Sequence, residues 1–541
     1  MTASSAAAFH QGLAAAHAGD FERAFAIARS MIARDPNDVH AYQIVGVANF
    51  LQGRIHEALD AFIRANQLAP RQPPILHWIG VLMRERGDFA QSRTAFSRAA
   101  ELAPENPEHL ANLAETLVLM SARDEAREAF EKAVRIEPPS AVVLAKAARF
   151  FEQSHDLARA SALAERAFGL APKDEIVLIA KAEIDQRRGR PEEVIALLKG
   201  EASASAQNQR NHAKLFRILA DAYDKTDRYD EAFAAYSASN NLQRALYADY
   251  VSHEKSPLTA ENLDRMIAYY QGVDASSWTR YENLEERAPA FIVGFTRSGT
   301  TWLDQIIASH PGAMVMEEED NFIDVWNELH ISDEGLARLA GLTRDEVNGY
   351  RRAYWRRARA NMKEPENGGL VVDKVPLNTV QLGLIYRLFP EAKVIFAQRD
   401  PRDSIFSNFQ QHYAMNAAMY QFLALDTAAA FYDRVMTLGR LCREKFPLAV
   451  HDVRYESLVE DLEGEARRFI PFLGLDWTPD VLDYRETAMK RTILTPSLRQ
   501  VVQKPYATSI GKWRNYEKEM RSVLPILDKW AALLGYEVNE R

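Results

Sequence analysis

Several stretches in the second half of the chain carry side chains suited to holding a phosphate-like anion. Ala290–Pro311 reads AFIVGFTRSGTTWLDQIIASHP: an apolar run to Val293, Gly294, a polar loop to Gly299, then Thr300-Thr301 opening an amphipathic run. Strand, glycine-bounded loop and helix in that order aim backbone N–H groups and the positive end of a helix dipole at an anion. Arg297 places a cation inside the loop. A second cation, Arg399, lies in R-D-P-R after the apolar run Lys393–Ala397, and Ser407 follows about two helical turns on. A guanidinium fork and a hydroxyl could hold a second phosphate from two sides. Glu317, Glu318 and Glu319 are carboxylates able to take a proton, and Lys374 is a cation able to steady developing negative charge. Each feature alone also reads as ordinary structure: a strand-to-helix turn, a capped helix start, a solvated acidic turn.

The spacing Gly294-x4-Gly299 matches a Walker P-loop, but Thr300 stands where the lysine for the outer phosphates of a nucleoside triphosphate would be. Five short apolar runs have to position these residues: Phe291–Val293, Met314–Met316, Leu370–Val372, Lys393–Ala397 and Ala449–Val453. Their alternation with helical stretches predicts a parallel α/β sheet covered on both faces. Ligands of such sheets gather at the carboxyl ends of the strands, so the polar residues ending these runs are expected to converge.

The first half repeats. Pro36, Pro70, Pro104, Pro138 and Pro172 are 34 residues apart, and Gly12, Gly46, Gly80, Ala114, Ala148 and Ala182 keep the same step. So do Ala24, Ala58, Ser92, Ala126 and Ala160, with Phe62, Phe96 and Phe130 four places after three of them. Small residues let paired helices approach closely, and the proline ends each unit. This pattern resembles the tetratricopeptide repeat, with about six units to near Gly200. Past a small, polar break, a further pair is expected from His212 to Ala245. The expected fold is α + α/β: a solenoid over 1–245, a helical connector over 246–288, and a P-loop-like α/β domain over 289–541. A solenoid's concave face commonly holds a peptide or protein segment; a structural cap or dimerisation arm is the plainer role.

Of the 541 residues, 47% are hydrophobic and 26% charged, as in a soluble globular protein. A net charge of −9 without a basic, aromatic-laced stripe argues against nucleic acid as a partner. The single cysteine, Cys442, excludes an internal disulfide and fits a reducing compartment. The first twenty residues lack a signal peptide's basic and apolar regions, and no run approaches the ~18 apolar residues of a membrane span. The cytoplasm is therefore expected. No HExxH, EF-hand or Cys/His cluster offers a metal, and none is expected.

T-R-S-G-T-T followed by a helix and His310-Pro311 resembles the 5′-phosphosulfate loop of sulfotransferases, usually P-R-S-G-T-T. Thr296 replaces the proline, so a less rigid start to the loop is expected. R-D-P-R-D-S-x-x-S resembles their 3′-phosphate motif, matched by Arg399 and Ser407, and Tyr455 in R-Y-E-S-L matches the tyrosine beside the adenine. Two anion motifs in order make the resemblance specific over about 290 to 535. The C-terminal segment resembles that of tyrosylprotein sulfotransferases and of bacterial proteins fusing tetratricopeptide repeats to a sulfotransferase. Ser497 matches a serine at the reacting sulfonate and Lys512 a lysine on the nucleotide, although Pro505 sits one place late.

The resemblance implies 3′-phosphoadenosine 5′-phosphosulfate as co-substrate, bound by Arg297, Ser298, Gly299, Thr300, Thr301, Arg399, Ser407, Tyr455 and Lys512. It implies Glu318 as base, with Arg297, Lys374 and Ser497 at the reacting group. The acceptor is then a hydroxyl on a peptide (tyrosine among them), glycan or small molecule. Two alternatives stand beside it: a nucleotide kinase or NTPase on the same cradle, and a scaffold whose α/β half is inactive.

Overall fold

The computed structural model describes residues 3–200, 208–253, 256–362, 368–486 and 509–538. The chain forms two compact units, Met1–Ala204 and Ser205–Arg541.

Six antiparallel helix pairs build the first unit. They are Ala3–His17 with Phe21–Arg34 (α1, α2), Val39–Leu51 with Ile55–Leu68 (α3, α4) and Pro73–Glu85 with Phe89–Leu102 (α5, α6). Pro107–Leu119 with Arg123–Ala133 (α7, α8), Ala141–Gln153 with Leu157–Leu170 (α9, α10) and Glu175–Arg187 with Pro191–Leu198 (α11, α12) complete the set. This is a tetratricopeptide-type solenoid. The periodic small residues make the close contacts. A Cβ on Gly46 would lie 2.4 Å from the Phe62 ring, and one on Gly80 2.9 Å from Phe96. Those phenylalanines are fully buried, each worth roughly 1.5–3 kcal/mol relative to exposure. Ser92 replaces the usual alanine by donating its hydroxyl to the Gly80 carbonyl at 2.8 Å. Sequence reading passed over a further register. Gly19, Gly53, Gly87, Ser121, His155 and Gly189 turn each pair with left-handed backbone, also at 34-residue steps.

The next pair, Gln209–Asp224 (α13) and Tyr229–His253 (α14), belongs to the second unit. Its turn residue, Asp227, falls four places beyond the 34-residue step. The second helix runs through Ala245, where sequence reading ended the solenoid, and stops at His253. Ala260–Gly272 (α15) is helical, and the rest of the expected connector is largely irregular.

The five strands are Ala290–Gly294 (β1), Ala313–Glu317 (β2), Leu370–Lys374 (β3), Lys393–Gln398 (β4) and Ala449–Arg454 (β5). They form one parallel sheet in the order β2-β3-β1-β4-β5. One face packs Ile292, Val372 and Ile395 against Trp302, Ile306, Phe469 and Ile470. On the other side Phe291 meets Phe322, Tyr354 and Phe389. The stretch from Asn327 to Met362 is largely helical.

Candidate active site

Because the strands are parallel, their carboxyl ends lie on one edge, and five of the candidate residues sit at or just beyond such an end. Arg297 follows β1, Glu318 β2, Arg399 β4 and Tyr455 β5, while Lys374 is the last residue of β3.

The anion loop is held by its neighbours. Gly294 lies at φ 151°, and a Cβ there would be 2.4 Å from the Ala397 carbonyl oxygen of β4. Gly299, at φ 92°, caps the helix Thr300–Ala308 (α16). Ser298, Thr300 and Thr301 are buried beside it. Thr296 donates its hydroxyl to Asn408 Oδ1 at 2.8 Å, and Asn408 Nδ2 donates to the Thr296 carbonyl at 3.1 Å. At the loop start that lacks the proline, these side-chain hydrogen bonds tether Thr296 to the helix bearing Ser407. Arg297 has left-handed backbone, φ 66°, a conformation costly for a non-glycine and concentrated at functional sites.

The two expected phosphate pockets are contiguous. Arg297 Nε donates to the Ser407 hydroxyl at 3.0 Å, and Arg399 Nη1 donates to the Arg297 carbonyl at 3.0 Å. Burial, followed by the Arg399 cation, brings the Arg297 guanidinium below its usual value, with Tyr413 opposing. The two arginines of R-D-P-R part company here. Arg402 is tied to Asp400 at 2.7 Å and to Asp528 at 3.2 Å. Arg399 keeps a buried Nε without a hydrogen-bond partner among the described residues. The Tyr455 ring lies 4.8 Å from the Arg399 guanidinium carbon. A Cβ on Gly299 would come within 2.7 Å of that same ring. Gly299→Ala, strained in φ and clashing with Tyr455, should cost roughly 1–3 kcal/mol, read from the urea midpoint of the second unit. An unchanged midpoint would contradict this packing.

The same sheet edge carries an ion triad of which the lysine and the aspartate are buried. Lys374 Nζ lies 2.7 Å from Glu318 Oε1 and 3.1 Å from Asp304 Oδ2. The Lys374 and Asp304 side chains are 0% exposed, that of Glu318 43%. Burial works against the ammonium, but Asp304 and Glu318 outweigh it and hold Lys374 above its usual range. Glu318 also has left-handed backbone, φ 51°, and its N–H donates to the Lys374 carbonyl at 2.8 Å. Gln305 ties Asp304 to Glu317. Sequence reading missed Asp304, whose only local signal is an acid one turn into an amphipathic helix.

Behind Lys374, Asp373 accepts from the Tyr354 hydroxyl at 2.7 Å and Asn321 Nδ2 at 3.0 Å. Burial pushes its carboxyl from 3.8 up to about 6, those two hydrogen bonds opposing. Between these values the folded chain keeps a proton that the unfolded chain has lost, so stability falls as pH rises through the window. The stability of the wild type minus that of Asp373→Asn should therefore drop by about 2 kcal/mol from pH 4 to pH 7. A difference that stays flat would contradict it.

Lys512 is not beside Arg297 or Arg399 by any direct bond; its Nζ lies 2.6 Å from Asp224 Oδ2. Ser497 and Pro505 lie outside the described residues. His310 is structural: it receives the Gly312 N–H at Nδ1 and bonds the Asp476 carbonyl through Nε2 at 2.7 Å. No group of three or more His, Cys, Asp or Glu placed for a metal occurs among the described residues.

Residues 289–479 match the sulfotransferase family. The second unit carries a sulfotransferase-family domain. An uncharacterized protein of Aquifex aeolicus (strain VF5) is 27% identical over 65% of this chain and 46% of its own length. Protein-tyrosine sulfotransferase 1 of Danio rerio is 25% identical over 46% of this chain and 72% of its own. The chain thus spans about half the length of the Aquifex relative. Among solved structures, a tetratricopeptide repeat protein from Parabacteroides merdae ATCC 43184 covers 43% of this chain and 93% of its own, at 15% identity and TM-score 0.34. The sulfotransferase-family match includes Arg297, Glu318, Lys374, Arg399, Ser407 and Tyr455, but neither α13 nor Lys512. No helix among the described residues is long and apolar enough to cross a membrane.

Proposed function

We propose that the second unit transfers a sulfonate group from 3′-phosphoadenosine 5′-phosphosulfate to a hydroxyl acceptor. The observation carrying this reading is the continuity of Arg297, Ser407 and Arg399 on the sheet edge that also holds the Lys374–Glu318 pair. The residues suit such a donor. The buried Arg399 Nε has no hydrogen-bond partner among the described residues, and the start of α16 at Gly299 has no side-chain cap. In this reading Arg297, Ser298, Gly299, Thr300 and Thr301 hold the 5′-phosphosulfate, Arg399 and Ser407 the 3′-phosphate. Tyr455 borders the adenine and Lys512 contacts the nucleotide; Ser497 is assigned to the sulfonate by resemblance.

The donor supplies an activated sulfonate. The chain's part is to place an acceptor hydroxyl in line with it, take the proton, and balance charge. Glu318 receives the proton from the acceptor oxygen. Lys374, kept a cation by two carboxylates, and Arg297 face the oxygen that gains negative charge. The named relatives make protein tyrosine the first acceptor to test, and the solenoid is proposed to bind the acceptor or another protein segment. The cytoplasm is the proposed setting, in keeping with the single cysteine. Labelled donor added to a lysate with the wild-type chain should label protein bands, and Glu318→Ala should not. Label confined to lipid or glycan would move the acceptor class; equal labelling by both chains would overturn the reading.

A further inference from the structure

The segment Ser509–Tyr516 is fastened to the second unit at three places. Arg399 Nη2 donates to the Ser509 carbonyl at 2.7 Å, and the Tyr455 and Ser509 hydroxyls are 3.0 Å apart. Asp403, on the helix that carries Ser407, accepts from the N–H of Gly511 at 2.6 Å and of Trp513 at 2.9 Å. The third fastening comes from α13, outside the sulfotransferase-family match. Asp224, its last residue, holds Lys512 Nζ at 2.6 Å and accepts the Tyr516 hydroxyl.

The helix pair has further ties to the same place. Tyr229, opening α14, sets its ring edge-on to Tyr516 at 5.3 Å. Asn240 Nδ2 donates to the Phe409 carbonyl at 3.0 Å, and Phe233 stacks on Phe409 at 5.3 Å, at the end of the helix bearing Ser407. Arg217 lies two turns before Asp224 on one face of α13 and is held by Asp221 at 2.5 Å. Its charge acts on both Arg297 and Tyr413. A pair serving only to cap a solenoid would need apolar contacts here. This one aims a carboxylate at a cation 288 residues away in the chain.

We propose that α13–α14 is a working part of the nucleotide site, in which Asp224 positions Lys512 toward a phosphate-bearing adenosine nucleotide. The inference rests on the donor reading above. An ammonium has three donors. With one held by Asp224, the others are free to turn to a phosphate, and the long side chain is ordered before the ligand arrives, which removes part of the cost of binding. Asp224 is thus a positioning residue acting through Lys512.

The test is a calorimetric titration of the full chain with 3′,5′-adenosine bisphosphate. Asp224→Ala should weaken binding about tenfold, and Asp224→Glu should recover most of the loss. In a Lys512→Ala background, Asp224→Ala should cost less than about twofold, because its route to the ligand is already gone. Should Asp224→Ala fail to fold, Asp224→Asn, which keeps an acceptor for Tyr516, takes its place with a loss of about fivefold. Two results would overturn the inference alone: wild-type-like binding by the Ala and Asn variants, or the same loss with and without Lys512. A wild-type chain that does not bind the bisphosphate overturns the donor reading, and this inference with it.

Discussion

Glu318→Gln should slow sulfonate transfer by roughly two to four decades while leaving donor affinity within about twofold, because the side chain keeps its shape but loses its charge and its ability to take a proton. The acids around Lys374 differ in access. Asp304 is fully buried, and Glu317 is engaged by Gln305. Glu318 touches Lys374 while almost half of its side chain faces solvent. Its left-handed backbone is fixed by the hydrogen bond from its N–H to the Lys374 carbonyl, so the carboxylate is aimed from a rigid strand end. Glu319 is exposed too, but it is not one of the carboxylates in contact with the lysine. Single-turnover transfer of labelled sulfonate, measured beside donor affinity, separates the two effects. A loss under about fivefold, or a donor affinity falling in step with the rate, would remove Glu318 from the role of base.

Lys374→Ala should do two kinds of damage. It leaves Asp304 buried without its counter-charge, a cost of roughly 3–5 kcal/mol. It also removes a preorganised cation from the charge that develops during transfer, about 3 kcal/mol in the barrier, or two decades in rate. A second substitution parts the two. In Lys374→Met/Asp304→Leu the buried ion pair becomes an apolar contact of similar volume, which often restores stability. The doubly substituted chain should regain most of its urea midpoint and none of its rate. If both return together, Lys374 is a structural residue and the chemistry lies elsewhere.

The elements that carry these groups were legible in the sequence for physical reasons. A buried parallel strand reads as a short apolar run, as in β1, β3 and β4, and all five strands, the more exposed edge strand β5 with His451 and Asp452 included, lie within two residues of the expected runs. The solenoid announced itself because each unit must meet the next at the same small and aromatic positions, as Gly46 on Phe62 shows. What stayed hidden depends on contacts through space. Nothing near Asp304 says that it will face Lys374, and nothing near Asp224 points to Lys512. R-D-P-R does not say which arginine is tied down. Asp400 and the distant Asp528 tie down Arg402, while Arg399 keeps a buried Nε without a hydrogen-bond partner among the described residues. Thr296 reads as a lost proline until Asn408 is seen to tether it from 112 residues away.

The central claim is that Arg297 and Arg399 bind two phosphates of one adenosine nucleotide on a shared sheet edge. Its most direct measurement compares 3′,5′-adenosine bisphosphate with adenosine 5′-monophosphate by equilibrium titration, in the wild-type chain and in Arg399→Ala. Removing the 3′-phosphate should weaken binding by about tenfold or more in the wild type and hardly at all once Arg399 is gone, since the contact worth that difference has already been lost. Equal affinity of the wild type for the two nucleotides, or binding of neither, would contradict the account.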